Sequence, residues 1–419
     1  MINFLRMITP SFLLGWYHFT LSFIGAVIYG FPSRNLIVIG VTGTNGKSTT
    51  VEMLSRIFQE AGIKSASISS IRFQIGEEEK RNRYKMTMPG RFAIQKFLKK
   101  AKDKGVTHVV LEVTSEGIMQ YRHRFINFHT IVFTNLSPEH IERHGSFENY
   151  RAEKGKLFKV GRKVHVINLD DKHTDYFLQF PAEKVYGYTT KGTSFDNGEL
   201  MEAQDIKVSL QGLSFSIKNT QFILSLHGEF NVSNALAAVT TAIVHGVSLK
   251  NAKAALLKME SVPGRMEEVV SSPFRVFVDY AFTPAALEKV YLTLRENTQG
   301  KLICVLGAAG GGRDKWKRPV LGRIAATHCE KVIITNEDPY GEDPEEIIQQ
   351  VAGGASGKAV VVIDRRKAIA QALSLASKGD VVIITGKGSE DSIAVARGKK
   401  IPWDDREVVR EELDTQVKL

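Results

Sequence analysis

The sequence has very few cysteines. Its 419 residues include only Cys304 and Cys329, which excludes a framework of several disulfides and a four-cysteine zinc site and indicates a reducing compartment. Hydrophobic residues make up 43% and charged residues 24% of the chain, which excludes a largely disordered or collagen-like protein. A chain of this length is expected to hold about two or three domains.

Long uncharged stretches are also scarce, and one lies near the N-terminus. Residues 12–31 contain no Asp, Glu, Lys or Arg and are about long enough to cross a bilayer as a helix. Trp16, Tyr17 and His18 argue against a span, and no signal-peptide cleavage site is evident. Three interpretations stay open: a helix packed on the protein, a helix in the membrane interface, and a single membrane span.

Acidic residues are outnumbered, and the net charge is +11. Between Lys80 and Lys104 the only acid is Asp103, and the other charged residues are all Lys or Arg. Such a basic block is typical of a solvated helix face or of a surface for a polyanion, whether a nucleic acid, a membrane or a small molecule. Aromatic residues are not interleaved in the manner of single-strand binders, so we expect no nucleic-acid partner.

The segment GVTGTNGKST at 40–49 joins a predicted strand to a predicted helix. Small residues let backbone N–H groups approach phosphate oxygens, and a helix N-terminus favours anions. Lys47 is expected to neutralise nucleotide phosphates, and the Ser48 hydroxyl is expected to bind Mg²⁺. The first glycine of the strict phosphate-loop pattern is displaced, since its position holds Val41.

Two further residues follow predicted strands. Glu112 ends the strand HVVLE, where a carboxylate can reach a metal bound to the nucleotide. His140 lies after another strand, although a lone histidine is more often structural.

Apolar runs alternate with helical stretches from Leu36 onward, which predicts an α/β fold with buried parallel strands. The first series has strands at 36–41, 108–113, 130–135 and 164–168, and helices such as 47–61 and 91–102. Residues 206–228 alternate with period two, which predicts a small antiparallel element, and helices follow at 230–245 and 249–259.

A second α/β series follows Val262-Pro263-Gly264, a candidate hinge. Its strands are predicted at 275–281, 301–308, 331–336, 359–364 and 380–386. We therefore predict a leader helix in residues 1–35, a central nucleotide-binding domain in 36–262 and a C-terminal Rossmann-like, doubly wound domain in 263–419.

Several motifs recur in an order that is familiar from one family. They are LEVTSEG (111–117), FTNLSPEHIERHG (133–145), HGEFNVSNALAA (227–238), PGRMEEV (263–269), VDYAFTP (278–284), GGGRDKWKRP (310–319) and GKGSED (386–391). With the phosphate loop, they resemble the Mur ligase superfamily, the ATP-dependent amino-acid ligases of peptidoglycan synthesis. Their wording is closest to the UDP-N-acetylmuramyl-tripeptide synthetase branch.

The resemblance implies ATP and Mg²⁺ as cofactors. The implied ATP-binding residues are Gly43, Thr44, Asn45, Gly46, Lys47, Ser48, Thr49, Asn231, Asn234, Arg265 and Asp279. The implied metal-binding residues are Ser48, Glu112, His140 and Lys154, where Lys154 matches a lysine that the family carbamylates. Lys47, Lys154 and His140 are the implied catalytic residues.

The resemblance also implies a substrate side, but the sequence departs from the family there. The implied substrate-binding residues are Thr87, Met88, Pro89, Glu337, Asp338, Tyr340, Lys387 and Glu390. Residues 337–340 read Glu-Asp-Pro-Tyr where the branch that adds diaminopimelate has D-N-P-R. Phe282, Ser389 and Glu116 stand where that branch usually has histidines. About 35 residues precede the first predicted strand, so we expect the usual N-terminal uridine-binding domain to be absent.

The expected reaction joins a free amino acid to the carboxylate of a muramyl peptide through an acyl phosphate. The acceptor is expected to be sugar-nucleotide-linked or lipid-linked. We expect a monomer in the cytoplasm, with contact to the inner face of the membrane through residues 12–31 left open.

Two alternatives stay open. The first is a ligase that amidates a lipid-linked precursor, although such enzymes commonly carry a cysteine-rich zinc insertion that two cysteines cannot supply. The second is a non-catalytic, nucleotide-gated membrane scaffold. A folate polyglutamylating ligase fits the motif wording less well.

Overall fold

Two mainly parallel sheets, each covered by helices on both faces, form most of the molecule. The computed structural model describes residues 11–84, 86–209 and 211–416. Lys85 of the basic block and the first ten residues of the predicted leader therefore lie outside the described residues. The predicted α/β class, with a mostly parallel central sheet, a small antiparallel element and a Rossmann-like second domain, is confirmed.

The central sheet contains the phosphate-loop strand near its middle. Its strands are β1 (Ile37–Thr42), β2 (Ser65–Ile68), β3 (Arg72–Ile75), β4 (Glu78–Arg81), β5 (His108–Glu112), β6 (Phe128–Phe133), β7 (Val164–Asn168), β8 (Lys184–Thr189) and β9 (Glu199–Glu202). They lie in the order β4-β3-β2-β5-β1-β6-β7-β8-β9, in which the β2–β3 and β3–β4 pairs are antiparallel and the other pairs are parallel. The start of the basic block thus forms an exposed edge strand, which the sequence did not predict.

Helices bury both faces of this sheet, as its nearly continuous apolar strands require. They are α1 (Ser11–Ile28), α2 (Lys47–Glu60), α3 (Arg91–Asp103), α4 (Ser115–Met119), α5 (Ile141–His144), α6 (Phe147–Val160), α7 (Thr174–Leu178), α8 (Phe230–Val244) and α9 (Leu249–Leu257). One core lies under α2, α8 and α9, and the other lies under α3 and α6.

A three-stranded antiparallel sheet joins the first of these cores, where the alternating pattern predicted it. Its strands are β10 (Gln204–Ser209), β11 (Gly212–Ile217) and β12 (Thr220–Leu224). Lys218 and Asn219 connect the last two strands, and both have positive φ, at 45° and 63°. A two-residue hairpin turn of this kind matches the twist of the strands that it joins.

The second sheet lies in the C-terminal part of the chain. Its strands are β13 (Glu267–Val270), β14 (Arg275–Asp279), β15 (Leu302–Leu306), β16 (Lys331–Ile334), β17 (Ala359–Val361) and β18 (Val381–Thr385), and a separate hairpin follows as β19 (Ser392–Ala394) and β20 (Lys400–Pro402). The order is β13-β14-β18-β15-β16-β17, with only β13 antiparallel in this sheet. The covering helices are α10 (Pro284–Glu296), α11 (Lys317–His328), α12 (Pro344–Ala352), α13 (Arg365–Ser374) and α14 (Asp405–Gln416).

The two cysteines of the chain pair with each other inside this second domain, whereas the reducing compartment that the sequence indicates predicts free thiols. Cys304 on β15 and Cys329 after α11 form a disulfide with Cα atoms 6.2 Å apart. Both residues are buried, so the bond lies within the hydrophobic core beneath the sheet.

The connection between the two sheets passes through Gly264. This residue has φ of +62°, and a Cβ atom there would lie 2.1 Å from the backbone nitrogen of Ser389. Only glycine therefore fits this crossing of two backbones. The domain boundary after residue 262 and the hinge at 262–264 stay predictions.

The leader forms α1, which packs along the protein. Gly25 lies against the Phe92 ring of α3, and the Ser22 hydroxyl donates to the carbonyl oxygen of Tyr121 at 2.9 Å. The interpretation of this segment as a helix packed on the protein therefore holds for one face of α1. Within the described ranges, no helix is long and apolar enough to cross a membrane.

Three histidine rings pack together at the edge of the central sheet that is opposite the phosphate loop. His108 begins β5, His129 lies in β6, and His245 follows α8; the His245 ring lies 5.2 Å from that of His108 and 5.3 Å from that of His129. Burial lowers the pKa of all three, and the pKa of His245 falls from 6.5 to about 3. The folded protein thus keeps these rings neutral.

We expect the folded state to lose stability as the pH falls below 6.5, because the unfolded chain then binds a proton at His245 that the folded chain refuses until about pH 3. The loss from this residue is at most about 1.4 kcal/mol per pH unit. Urea unfolding at pH 7 and pH 5 measures it, and His245→Gln should flatten the dependence while His328→Gln on α11 should not. Equal pH dependence in the parent and in His245→Gln would contradict this assignment.

Candidate active site

A cavity of about 700 Å³ lies between the two sheets. The carboxyl ends of parallel strands in both domains meet there, which is where open α/β sheets bind their ligands. All seven phosphate-loop residues from Gly43 to Thr49 line it, together with residues from the C-terminal domain. The cavity therefore brings together segments that are more than two hundred residues apart in sequence, such as Ser48 and Arg265.

The phosphate loop is held by residues that follow β6 and begin α8. The Asn135 carbonyl accepts from the Thr44 amide at 2.8 Å, and the Asn135 side chain accepts from the Asn45 amide at 2.9 Å. Gly46 has φ of +82°, and a Cβ atom there would lie 2.2 Å from Oδ1 of Asn234. The loop thus turns tightly enough to direct the N-terminus of α2 at the cavity.

The Lys47 side chain folds back over the phosphate loop. Its Nζ donates to the carbonyl oxygen of Thr44 at 2.8 Å and lies 4.0 Å from Oε1 of Glu112. Burial lowers the pKa of Lys47, the Glu112 carboxylate opposes that shift, and the Arg265 cation adds to it. An anion bound in the loop would restore the preference for the charged ammonium.

Glu112 lies at the end of β5, and its side chain is hydrogen-bonded to Ser48 at the start of α2. Its Oε2 accepts from the Ser48 hydroxyl and from the Ser70 amide, both at 2.9 Å. A carboxylate and a hydroxyl are donors that Mg²⁺ accepts when phosphate oxygens complete the set. Within the described residues, no group of three or more His, Cys, Asp or Glu side chains could hold a metal ion.

Lys154, on α6, is buried beside the phosphate loop. Its Nζ donates to the Gly43 carbonyl at 2.7 Å and lies 4.8 Å from the centroid of the Tyr150 ring, and the residue is 1% exposed. Burial, followed by repulsion from Lys47, lowers its pKa well below the usual range. A neutral amine is the form of lysine that reacts as a nucleophile.

His140, like Lys154, has a lowered pKa. It has φ of +57° immediately before α5, and its Nδ1 lies 4.0 Å from Oε1 of Glu116. Burial, and then the nearby cations Arg313, Lys317 and Lys154, lower its pKa to about 2. A neutral imidazole can donate a lone pair to a metal ion or accept a proton.

The C-terminal domain supplies the opposite wall. Arg265 donates to the Ser70 hydroxyl at 3.0 Å and stacks over the Tyr280 ring at 4.4 Å. The Asp279 carboxylate accepts from the Met266 amide at 2.7 Å and from the Ala281 amide at 2.6 Å, which fixes it at the end of β14.

Asn231 lies behind Asn234 on α8. Of the two predicted asparagines, Asn234 lines the cavity, whereas the Asn231 side-chain oxygen accepts from the Asn234 amide group at 2.9 Å. Asn231 is thus placed to orient Asn234.

On the predicted substrate side, Thr87 and Met88 line the cavity, whereas Pro89 is buried beneath it. The lysines of α3 that complete the basic block are exposed on the outer surface and do not line the cavity. The block therefore divides into a short segment that lines the cavity and a solvated helix face.

The predicted amino-acid side is acidic. The cavity-lining members of the predicted set are Glu337, Asp338, Tyr340 and Glu390. Lys387 is fully buried behind them and donates to Asp338 at 2.7 Å and to Glu390. Burial, reinforced by the neighbouring Asp338, raises the pKa of Glu337 to about 7.

Two contacts join the two domains beside His140, and the sequence motifs did not predict them. Lys317 donates to Glu139 at 2.7 Å, and both side chains are nearly fully buried. The Asp314 carboxylate accepts from the amides of Ile141 and Glu142 at 3.1 and 2.9 Å, which caps α5. The motif GGGRDKWKRP contained the signal, because its charged residues follow a strand end.

Comparisons with known proteins agree with this arrangement. The profile described as Mur ligase middle domain matches residues 41–242, and the profile described as Mur ligase, glutamate ligase domain matches residues 264–388. The chain belongs to the Mur ligase family, and it is an ATP-dependent ligase.

Its relatives define the branch that the motifs predicted. The chain is 39% identical over 386 residues to the UDP-N-acetylmuramoyl-L-alanyl-D-glutamate--2,6-diaminopimelate ligase of Aquifex aeolicus, which covers 91% of this chain and 78% of that protein. It is 36% identical to the UDP-N-acetylmuramyl-tripeptide synthetase of a Roseiflexus species, covering 93% of this chain and 81% of the relative.

Solved structures show the same fold. A structure of a UDP-N-acetylmuramoyl-L-alanyl-D-glutamate--2,6-diaminopimelate ligase matches with a TM-score of 0.62 and 31% identity, covering 91% of this chain and 79% of the other. The Mycobacterium tuberculosis folylpolyglutamate synthase matches with a TM-score of 0.72 at 19% identity, covering 88% and 92%, and this likeness concerns the fold alone.

We expect Glu139→Gln to weaken the contact between the domains by about 3 kcal/mol, because it leaves the Lys317 ammonium buried without its counter-charge. Small-angle X-ray scattering should show a larger radius of gyration. The double variant Glu139→Leu with Lys317→Met, which removes both charges, should restore much of the closure, and Glu148→Gln at an exposed position on α6 should change little. Unaltered scattering from Glu139→Gln would disprove a role for this pair in closure.

Proposed function

We propose that this ligase joins a free amino acid to the terminal carboxylate of a muramyl dipeptide in peptidoglycan precursor synthesis. The observation that carries the proposal is the cavity in which the phosphate loop faces an acidic pocket of the C-terminal domain. The names of the relatives, which are ligases of UDP-linked muramyl dipeptide, support the same acceptor for this chain. The intact ATP side favours an enzyme over the non-catalytic scaffold.

We assign ATP binding to the residues around the phosphate loop. Backbone amides of the loop and Lys47 would hold the phosphates, while Asp279 would bind the ribose and Asn234 the nucleotide. Ser48, Glu112, His140 and a carbamylated Lys154 are the proposed Mg²⁺-binding residues. The ion would neutralise phosphate charge when it is bound.

The reaction has two steps, which are activation of the acceptor and formation of the amide. An oxygen of the acceptor carboxylate attacks the γ-phosphorus of ATP, the bond to the bridging oxygen breaks, and ADP leaves. The neutral amine of the incoming amino acid then attacks the carbonyl carbon of the acyl phosphate. The bond between that carbon and the phosphate oxygen breaks, and phosphate leaves with the electron pair and takes up the proton that the amine nitrogen loses. Lys47 would neutralise charge on the transferring phosphoryl group. The closed domains would exclude water, which would otherwise hydrolyse the acyl phosphate.

The two ends of the cavity are proposed to hold the two organic substrates. Thr87 and Met88 lie on the acceptor side. Glu337, Asp338 and Glu390 lie on the amino-acid side, where carboxylates would attract an ammonium group. Tyr340 replaces the arginine expected for diaminopimelate, so the amino acid that is added need not be diaminopimelate.

A lipid-linked muramyl dipeptide is the second candidate acceptor. The exposed apolar face of α1 favours it, and peripheral membrane contact through residues 12–31 goes with it. We propose a monomer that works at the cytoplasmic side of the membrane and binds no nucleic acid.

A ligation assay tests this function. Purified protein with ATP and Mg²⁺ is offered UDP-linked or lipid-linked muramyl dipeptide and a panel of amino acids. We expect ADP release that requires both substrates, and a product with one added residue. Lys47→Ala should lower turnover at least about a hundredfold, because it removes the charge that stabilises the transferring phosphoryl group. ADP release without any amide product would overturn the ligase proposal.

The carbamylation of Lys154 has its own test. Lys154→Ala should lose most activity, and added short carboxylic acids should restore part of it by supplying the missing carboxylate. Lys156→Ala, two residues along α6, is the matched control and should neither lose activity nor respond to the acids. A fully active Lys154→Ala would make Lys154 an ordinary buried lysine.

A further inference from the structure

One face of α1 is apolar and uncovered. Among the residues of α1 whose side chains the structure describes, the exposed ones recur at helical spacing, and all but one are hydrophobic. They are Leu13, Trp16, Tyr17, Thr20, Phe23, Ile24, Val27 and Ile28. Trp16 is 70% exposed and Ile28 is 63% exposed. A continuous apolar face of this kind marks an interaction surface.

The opposite face of α1 fixes the helix on the protein. Arg91 of α3 contacts His18 at 2.7 Å, and the Phe19 ring packs edge-on against Phe125 at 5.1 Å. Ser22 and Ala26 are buried in the same contact. Because these contacts extend along the helix, the apolar face points outward in a fixed orientation.

Acidic residues are nearly absent from the elements that make up this surface. No Asp or Glu precedes Glu52, and none occurs between Glu116 and Glu139, the stretch that contains the segment packed under α1. On α3 the only acid is Asp103, and Lys99 neutralises it at 2.5 Å. A negatively charged partner would therefore meet almost no repulsion here.

Cations border the apolar face. Arg34 is exposed and stacks over the Phe31 ring at 4.4 Å. Lys102 of α3 donates to Asn35 at 3.0 Å, just beyond the end of α1, and Arg124 lies beside the middle of the helix. An apolar stripe with aromatic residues, bordered by Lys and Arg, is the pattern that binds the interface of an anionic bilayer.

We propose that this face of α1 docks the ligase on an anionic lipid bilayer, with the stripe from Leu13 to Ile28 lying in the headgroup region parallel to the membrane plane. The lipid surface is the occupant because it satisfies both the apolar stripe and its basic border. This inference rests on the peripheral membrane contact proposed above and deepens it by naming the docking face and the anionic lipid surface; docking itself requires neither acceptor nor ATP.

Docking would place one end of the cavity beside the membrane. The segment 120–125, which packs under α1, contains Arg122. The Arg122 side chain lines the cavity and donates to the carbonyl oxygen of Met88. The side of the cavity that we assign to the acceptor is thus two contacts away from the docked helix. The arrangement suits an acceptor that is delivered along a membrane surface.

Co-sedimentation of the full chain with vesicles tests the proposal. The probes are vesicles of phosphatidylcholine alone and of phosphatidylcholine mixed with phosphatidylglycerol. We expect binding to the mixed vesicles that falls in high salt. Trp16→Gln with Val27→Gln should weaken binding at least about tenfold, because two inserted side chains are lost. Ile223→Gln, an equally apolar and exposed site on β12, should change nothing.

Two further measurements separate other outcomes. Thermal unfolding of the double variant should match the parent, because both replaced side chains are exposed. Size-exclusion chromatography tests a second copy as the occupant: a dimer that the double variant abolishes would overturn the proposal. Equal binding to neutral vesicles, equal loss in Ile223→Gln, or no binding at all would also overturn it. Failure of the ligation assay alone would leave docking intact.

Discussion

Positive charge at the phosphate-loop end of the cavity is the constraint on which the rest of the site depends. The basic side chains of Lys47, Lys154 and Arg265 face this end, and the pKa values of both lysines are lowered because burial removes them from water. Glu112, at the end of β5, opposes that shift. The fold therefore holds a preorganised place for a polyanion. Burial also lowers the pKa of His140, and nearby cations lower it further.

Contacts between the two domains also position residues at this end of the cavity. The segment that carries His140 is capped by Asp314 and bonded through Glu139 to Lys317, and both of those partners belong to the C-terminal domain. The position of His140 therefore depends on contacts with the second domain, whereas Ser48 and Glu112 are hydrogen-bonded to each other within the central domain.

The sequence was most informative where function requires a local motif. The phosphate loop, Glu112 at the end of a strand and the small antiparallel sheet could all be predicted, because each depends on residues that are adjacent in the chain. The pairing of Glu139 with Lys317 could not, since 178 residues separate them. The indirect position of Asn231 depends on how α8 packs. For α1, an apolar composition on both faces left three interpretations open until the packed face was known.

The crossing at Gly264 fixes how closely the two halves of the chain approach each other. Its backbone lies so close to residues 388 and 389 that no side chain fits between them. A side chain at this position would displace Ser389 and the adjacent Glu390, both of which line the cavity. The spacing between the walls of the cavity is thus set in part by a residue that has no side chain.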